Sequence, residues 1–197
     1  MVKLLQGVEK TLIEKNRERQ ANEGIHAFWG IDSIGAFTRL VRAHPDVVLK
    51  EGQLTADFAT MYTSFAFNAM IQRTMEAVEV AWTYEQECSP PMITGDQQPS
   101  LTLDTQGWSW IDEGYTKAQV AGLLAFLVTN NYTCNGGRVR KQIKGTPVGM
   151  PAAPQIANLA CYPVEKKHSY ALGPGKTKAV CRYIDDFWSS SGPSAEA

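Results

Sequence analysis

Three aspartates have the residue type and the surroundings expected of a metal-binding site for phosphoryl transfer. Asp185 and Asp186 stand side by side in the apolar run 182–188, and Asp57 stands in the run 53–62, which we predict to be a strand entering the core. Buried carboxylates are costly at neutral pH unless a cation compensates their charge. Carboxylate oxygens suit Mg²⁺, and two such ions can activate a 3′ hydroxyl and stabilise a leaving pyrophosphate.

The aspartate pair also predicts a local structure. Because aspartate is rare in strands, Asp185 and Asp186 fit best at the tight turn of a buried hairpin. Strand alternation would place Tyr183 and Asp185 on one face and Ile184 and Asp186 on the other. An isolated Asp-Asp pair is more often an exposed turn, so a metal site requires a fold that brings Asp57 beside this hairpin.

Helical periodicity covers much of the remaining chain. It predicts helices over residues 2–20, within 25–43, over 66–87, over 117–129, and from the loop at 145–149 to about residue 168. Asp32 or Ser33 is the expected N-cap of the second helix. Its residues Ile34, Phe37 and Leu40 are expected to point inward.

A second feature with chemical potential is a basic hairpin. Asn135-Gly136-Gly137 separates two short runs and is a strong hairpin signal. The four bases that could contact phosphates there are Arg138, Arg140, Lys141 and Lys144. Residues 132–182 hold nine bases against one acid, whereas residues 51–115 hold ten acids against one base. This asymmetry fits a polyanion partner and fits a solvated basic face equally well.

Length and composition limit the possible domain organisation, membrane association and cellular compartment of the chain. The chain has 197 residues and a formal net charge of -1, enough for one domain with a core or for a piece of a larger one. No apolar run is long enough to span a bilayer, and we see no secretion signal. The four cysteines show neither close pairing nor zinc-site spacing, which favours a reducing intracellular compartment.

Several motifs, in the same order, resemble those of Penelope-like reverse transcriptases. Residues 55–64 are similar to the first catalytic motif of that family, and residues 182–186 to the second. Between them, residues 142–149, with 153–154 and 157–159, resemble the substrate-binding motif. Residues 28–33 resemble a segment before the first motif, and Glu165 falls where these enzymes often carry an acid. The likeness covers roughly residues 25–188.

The resemblance implies an α+β fold: a polymerase palm, in which an antiparallel sheet is backed by helices. Together with helical periodicity near the start and with the Pro-, Gly- and polar-rich composition of 88–107 and of the tail, it divides the chain into an N-terminal helical segment (1–24), a palm core (25–188) with an exposed loop or insertion at 88–107, and a tail or linker (189–197). The fingers, thumb and endonuclease regions of such an enzyme are then expected outside this sequence. Because those regions grip primer and triphosphate, we expect this stretch alone to be inactive or feeble.

The resemblance also implies an activity, which is RNA-directed DNA polymerisation by a retrotransposon protein. The expected partners are an RNA template, a DNA primer and a dNTP, with two Mg²⁺ ions, or Mn²⁺ in their place, as cofactors. No membrane is involved, and the family resemblance implies a nuclear location. Asp57 and Asp185 would bind both ions, Asp186 would assist, and the carbonyl of Phe58 would be a further ligand.

The resemblance also implies which residues would form the pocket for the incoming nucleotide. Tyr62 falls where reverse transcriptases use an aromatic ring to exclude a ribose 2′ hydroxyl. The other implied pocket residues are Gln142, Gly145, Pro147, Val148, Gly149 and Asn158. Val148 departs from the methionine usual in this family, which would alter contacts to the incoming nucleotide.

Two other functions remain open. A domesticated, catalytically inactive descendant could serve as a nucleic-acid-binding or scaffold protein, and it would have no reason to bind Mg²⁺ through Asp57 and Asp185. An RNA-dependent RNA polymerase is disfavoured by Tyr62, because such enzymes typically place an acid there.

Overall fold

The computed structural model describes residues 1–45, 53–58, 61–88, 115–146 and 149–190. The helices are α1 (Val2–Glu23), α2 (Ile34–Ala43), α3 (Met61–Ser64), α4 (Phe67–Cys88), α5 (Lys117–Thr129) and α6 (Ala153–Leu172). The strands are β1 (Leu54–Asp57), β2 (Tyr132–Asn135), β3 (Arg138–Lys141), β4 (Val180–Tyr183) and β5 (Asp186–Ser189). Small antiparallel sheets combined with helices make the chain α+β, as predicted. No described helix is both long and apolar enough to cross a membrane.

The chain forms two compact units. The first unit comprises Met1–Lys15 and Tyr62–Pro163, and the second comprises Asn16–Met61 and Val164–Ala197. The predicted division at residues 24 and 188 stays a prediction. Most of the loop predicted at 88–107 lies outside the described residues, as do residues 191–197 of the predicted tail.

The first unit has a helical core. One face each of α1, α4, α5 and α6 is buried, through Leu5, Val8, Leu12, Met70, Val78, Trp82, Val120, Leu124, Val128, Ile156 and Leu159. Helix α5 begins with a capping box, in which the Thr116 side chain accepts from the Gln119 backbone amide and the Gln119 side chain accepts from the Thr116 backbone amide. Lys117 also forms a 2.9 Å ion pair with Glu79 of α4. The helix at 117–129 is therefore confirmed with its bounds.

The predicted hairpin is confirmed in the same unit. Strands β2 and β3 pair antiparallel, with Asn135 opposite Arg138 on either side of a two-residue turn. Gly136 and Gly137 have φ of 58° and 74°. A type I′ turn needs positive φ at both central positions, and glycine adopts it without steric cost.

The second unit is built on a three-stranded sheet of order β1-β5-β4. The segment containing Trp29 and Ile31 runs beside β4 and adds a short parallel contact. The Arg182 amide donates to the Trp29 carbonyl at 2.7 Å, and the Ile31 amide donates to the Arg182 carbonyl at 2.9 Å. This outer segment therefore fixes the backbone of β4 on the side away from β5.

Helix α2 confirms one sequence prediction and corrects another. Ser33 is the N-cap, and its Oγ accepts from the Ala36 amide at 3.2 Å. The expectation that Ile34 points inward was wrong, because this side chain is 83% exposed. Ile34 borders an open cavity and no described residue covers it, whereas Phe37 packs edge-on against Trp188 at 5.3 Å between ring centroids.

The strand predicted for residues 53–62 is shorter and less buried than expected. Strand β1 covers only Leu54–Asp57, all four of its residues are exposed, and Met61–Ser64 is helical. Within the part of the chain that the structure describes, β1 is an outer strand of the sheet and pairs with β5 alone. The prediction that this run enters the core was therefore wrong.

Candidate active site

Asp57 and Asp186 face each other across neighbouring strands. The register of β1 and β5 pairs Asp57 with Asp186, and that of β4 and β5 pairs Tyr183 with Asp186. Directly opposed residues of antiparallel strands place their side chains on the same face of the sheet. Both carboxylates are exposed. Two strands distant in sequence thus bring two acids to one face, as the phosphoryl-transfer hypothesis required.

Asp185 lies beside this pair but in the turn. A two-residue turn, Ile184 and Asp185, joins β4 to β5, so the predicted hairpin is confirmed. The Asp185 carbonyl accepts from the Phe58 amide at 3.0 Å, which links the turn to the end of β1. The expected alternation was wrong, since the chain reverses between Tyr183 and Asp186 and returns both side chains to one face.

The acids are less buried than the sequence predicted. Asp185 is half-buried and Asp186 is exposed, so burial does not demand a cation. A cation is favoured for a different reason: Asp57 and Asp186 are like charges, and like charges directly opposite each other destabilise a strand pair. A bound cation would offset this repulsion.

The turn has a strained backbone. Ile184 has φ of 57°, the one positive value of a non-glycine residue in the described part of the chain. A β-branched residue in this region is a genuine outlier, and such conformations persist only where surrounding structure enforces them. The Nη1 of Arg182 donates to the Ile184 carbonyl at 2.6 Å, so the turn is held by a buried side chain of β4.

Arg182 is itself held by a buried carboxylate. Its Nε lies 2.6 Å from Oε1 of Glu165 on α6, and the two side chains are 1% and 5% exposed. The other carboxylate oxygen, Oε2, accepts from the Trp29 amide at 3.0 Å. Both charges are therefore paired and hydrogen-bonded, which is the condition for burying them.

Sequence reasoning gave no role to this ion pair. A signal was present, because Glu165 is the one acid among nine bases in residues 132–182 and Arg182 stands next to an apolar run. An isolated acid in a basic segment and a base beside buried positions are candidates for a buried pair. Their contact depends on packing α6 against β4, which no local pattern reveals.

A cavity of about 620 Å³ opens on the face that carries Asp57 and Asp186. Its apolar wall includes Phe37, Cys181 and Trp188. Burial raises the pKa of the Cys181 thiol to about 11, because the surroundings disfavour the thiolate. Asp57 and Asp186 thus line a cavity whose volume lies within the usual range of ligand pockets.

The donor chemistry fits Mg²⁺. Asp57 and Asp186 offer exposed carboxylate oxygens on one face, with Asp185 in the adjoining turn. Among the described residues, no group of three or more His, Cys, Asp or Glu side chains could hold a metal ion. Mg²⁺ usually takes one or two carboxylates and completes its shell with water and phosphate oxygens. Two opposed aspartates are sufficient for that pattern.

The remaining predicted site residues have mixed surroundings. Phe58 belongs to the second unit and is 49% exposed. Tyr62 lies in α3, and its side chain is outside the described part of the chain, as are Pro147 and Val148. Gly149 is exposed, with open space where a Cβ would lie.

Three others make contacts within the first unit. The Gln142 side chain donates to the Lys144 carbonyl at 2.8 Å. Gly145 is buried at φ 79°, and its amide donates to the Phe65 carbonyl at 2.7 Å. Asn158 donates to the Glu9 carboxylate at 3.0 Å, so its amide faces α1.

The β2–β3 hairpin has two different faces. Register pairs Thr133 with Arg140 and Asn135 with Arg138, so these four polar residues share one face, which we call the arginine face. Tyr132, Cys134, Val139 and Lys141 share the other face. The Lys141 ammonium lies 5.9 Å from the centre of the Tyr132 ring. All eight residues are exposed, so the arginine face presents two guanidinium groups to solvent.

Comparisons with models of known protein families, with curated proteins and with solved structures find no match for this chain.

Proposed function

We propose that this chain carries the palm of an RNA-directed DNA polymerase, which extends a primer 3′ end with deoxynucleotides. The observation that supports this most strongly is the opposition of Asp57 and Asp186 in the sheet register, with Asp185 in the adjoining turn. These are the three acids singled out by the likeness to the catalytic motifs of Penelope-like reverse transcriptases. A retroelement origin belongs to the same proposal.

In this proposal, Asp57 and Asp186 would hold the metal, with Asp185 in the adjoining turn. When bound, Mg²⁺ supplies the positive charge that activates the 3′ hydroxyl and stabilises the departing pyrophosphate. Asp57 and Asp186 would fix that charge on one face of the sheet, and the turn places Asp185 beside them. The Phe58 amide aligns the end of β1 with the turn through its bond to the Asp185 carbonyl.

The arginine face of the hairpin supports a nucleic-acid partner. Arg138 and Arg140 are exposed, lie on one face, and are accompanied by Thr133 and Asn135, which can also hydrogen-bond phosphate oxygens. Arginine suits this task because its planar fork can bind phosphate through two parallel hydrogen bonds. We assign to this face the contacts with the template–primer backbone.

Selection of deoxynucleotides is assigned to Tyr62 by the same family resemblance. A ring at this position would collide with a 2′ hydroxyl, so replacing it with alanine should admit ribonucleotides. Gly149 would let the backbone approach the nucleotide, since open space lies where a Cβ would be.

Primer extension on an RNA template, with dNTPs and Mg²⁺, tests the proposal. The full 197-residue chain is compared with Asp57→Asn, Asp185→Asn and the control Glu18→Gln, which alters an exposed carboxylate on α1. We expect feeble extension by the wild type and the control, because the regions that grip primer and triphosphate are expected outside this stretch, and a loss of about a hundredfold or more in each aspartate variant. Extension that survives both aspartate substitutions, or no extension by any form, would contradict the proposal.

A second candidate function is nucleic-acid binding without catalysis, which the exposed arginine face favours. It predicts RNA binding that depends on Arg138 and Arg140, with no extension by any form of the chain and no effect of Asp57→Asn. The extension assay and a parallel binding assay separate the two functions.

A further inference from the structure

The strained turn and the buried ion pair form one connected structure. Glu165 holds Arg182 at 2.6 Å, and Arg182 holds the Ile184 carbonyl at 2.6 Å. Ile184 immediately precedes Asp185 and has the positive φ of 57° that sets the direction of the turn. The chain of contacts therefore runs from α6, through two buried charges, to the backbone that carries the acids.

We propose that Arg182 and Glu165 are positioning residues, whose task is to hold the Ile184–Asp185 turn so that Asp186 faces Asp57 and Asp185 lies beside them. This inference rests on the proposed polymerase function for its catalytic consequence. Its structural part, the control of the turn, stands independently of that function. Neither side chain is assigned any contact with substrate or metal.

The hydrogen-bond geometry of Arg182 supports this role. Nε donates to Oε1 of Glu165 and Nη1 donates to the carbonyl of Ile184, so one rigid guanidinium plane joins the two partners. Lysine carries the same charge but has a single ammonium group, which does not reproduce this planar fork. If the ion pair only had to compensate two buried charges, any cation paired with Glu165 would suffice, and the planar geometry of arginine would not be required.

Glu165 shows the same double use. Oε1 accepts from Nε of Arg182, while Oε2 accepts from the amide of Trp29 at 3.0 Å, in the segment that flanks β4. The Arg182 backbone also bonds this segment, at Trp29 and Ile31. Arg182 is thus held through its backbone and its side chain, and its guanidinium in turn bonds the Ile184 carbonyl.

The Phe58 amide provides a reporter that needs no polymerase activity. It donates to the Asp185 carbonyl at 3.0 Å, so it is protected from hydrogen exchange only while the turn stays in place. The amides of Ile31 and Arg182 bond within the neighbouring backbone and report on the sheet itself. Comparing these amides distinguishes a released turn from a loosened fold.

Two variants separate positioning from folding. Arg182→Lys keeps the buried charge pair and removes the planar fork. The double variant Glu165→Gln/Arg182→Met removes both charges while Gln can still accept from the Trp29 amide, so neither change leaves an unpaired buried charge. Lys167→Ala, an exposed change on the same helix, is the control.

Hydrogen exchange of the full chain is the first measurement. We expect Phe58 exchange to accelerate about tenfold or more in both variants, with Ile31 and Arg182 amides (Lys or Met in the variants) within about twofold of wild type. The Lys167→Ala control should leave all three unchanged. Unchanged Phe58 exchange in both variants, with the sheet amides intact, would overturn the proposal.

Primer extension is the second measurement. We expect kcat to fall about tenfold or more in both variants while KM for dNTP stays within about twofold, since misplacement of the acids affects the chemical step. If the wild type shows no extension, the polymerase proposal fails and the exchange result alone decides the turn. Accelerated exchange with unchanged kcat would refute the catalytic consequence of positioning.

Discussion

Asp57 of β1 lies directly opposite Asp186 of β5, and both carboxylates are exposed on the same face of the second unit's sheet. An opposed pair of like charges is unfavourable without a counter-ion. Strand pairing therefore creates, from residues far apart in sequence, a place where a cation is stabilising. The proposed activity and several measurable properties follow from this arrangement.

The arginine face of the hairpin should account for a measurable share of RNA binding. Arg138→Ala/Arg140→Ala should weaken affinity and reduce the slope of log K against log salt by about two, since each phosphate contact contributes about one. Lys10→Ala/Arg17→Ala removes the same charge from exposed positions of α1 and serves as control. Fluorescence anisotropy over a salt series measures both. Equal slopes for the two double variants would refute the assignment.

The buried ion pair should dominate the stability of the second unit. Glu165→Ala leaves Arg182, which is 1% exposed, without its carboxylate partner. Breaking a buried pair in this way costs about 3–5 kcal/mol of unfolding free energy. Urea denaturation measures the loss, and Lys167→Ala on the same helix should change stability by no more than about 0.5 kcal/mol. A loss below about 1 kcal/mol for Glu165→Ala would show that the pair is not energetically coupled to the fold.

Cys181 should resist alkylation at a pH where Cys134 reacts. Burial raises the pKa of the Cys181 thiol from an ordinary value of 9.0 to about 11, and the side chain is 2% exposed, whereas Cys134 is exposed in the hairpin. Since the thiolate is the reactive form, iodoacetamide at about pH 8 should label Cys134 first. Peptide mass spectrometry compares the two sites, and equal labelling rates in the folded chain would contradict the burial of Cys181.

The same thiol has a consequence for stability. An unfolded thiol ionises near its ordinary pKa of 9.0, whereas the folded thiol stays neutral up to about 11. The folded state therefore binds more protons in that interval, and its stability should fall as pH rises from 9 towards 11. Cys181→Ala should reduce this pH dependence in denaturant titrations, and an unchanged profile would contradict the shift.

Local chemistry explains which elements could be predicted from sequence. Helix α5 was predicted with its bounds because Thr116 and Gln119 form a capping box within one turn. The β2–β3 hairpin was predicted because Gly136 and Gly137 supply the positive φ that its turn requires. In both, the determining interactions join residues at most a few positions apart, so the pattern carries the information.

Long-range packing explains what could not be predicted. Strand β1 looked like a core strand, but exposure of Asp57 depends on which elements lie against it. Alternation placed Asp186 on the wrong face relative to Tyr183, because the chain reverses at the turn that contains Ile184. The Glu165–Arg182 pair requires a specific approach of α6 to β4. Such contacts depend on tertiary structure, which overrides local preference.

Metal binding by the opposed aspartates is the most direct test of the account. Mn²⁺ titration of the full chain, followed by EPR, compares wild type with Asp57→Asn, Asp186→Asn and the Glu18→Gln control. We predict that either aspartate substitution alone weakens Mn²⁺ affinity about tenfold or more, because both carboxylates serve one site, while the control binds as wild type does. Equal Mn²⁺ affinity in all four proteins would contradict the central claim that Asp57 and Asp186 form one cation site.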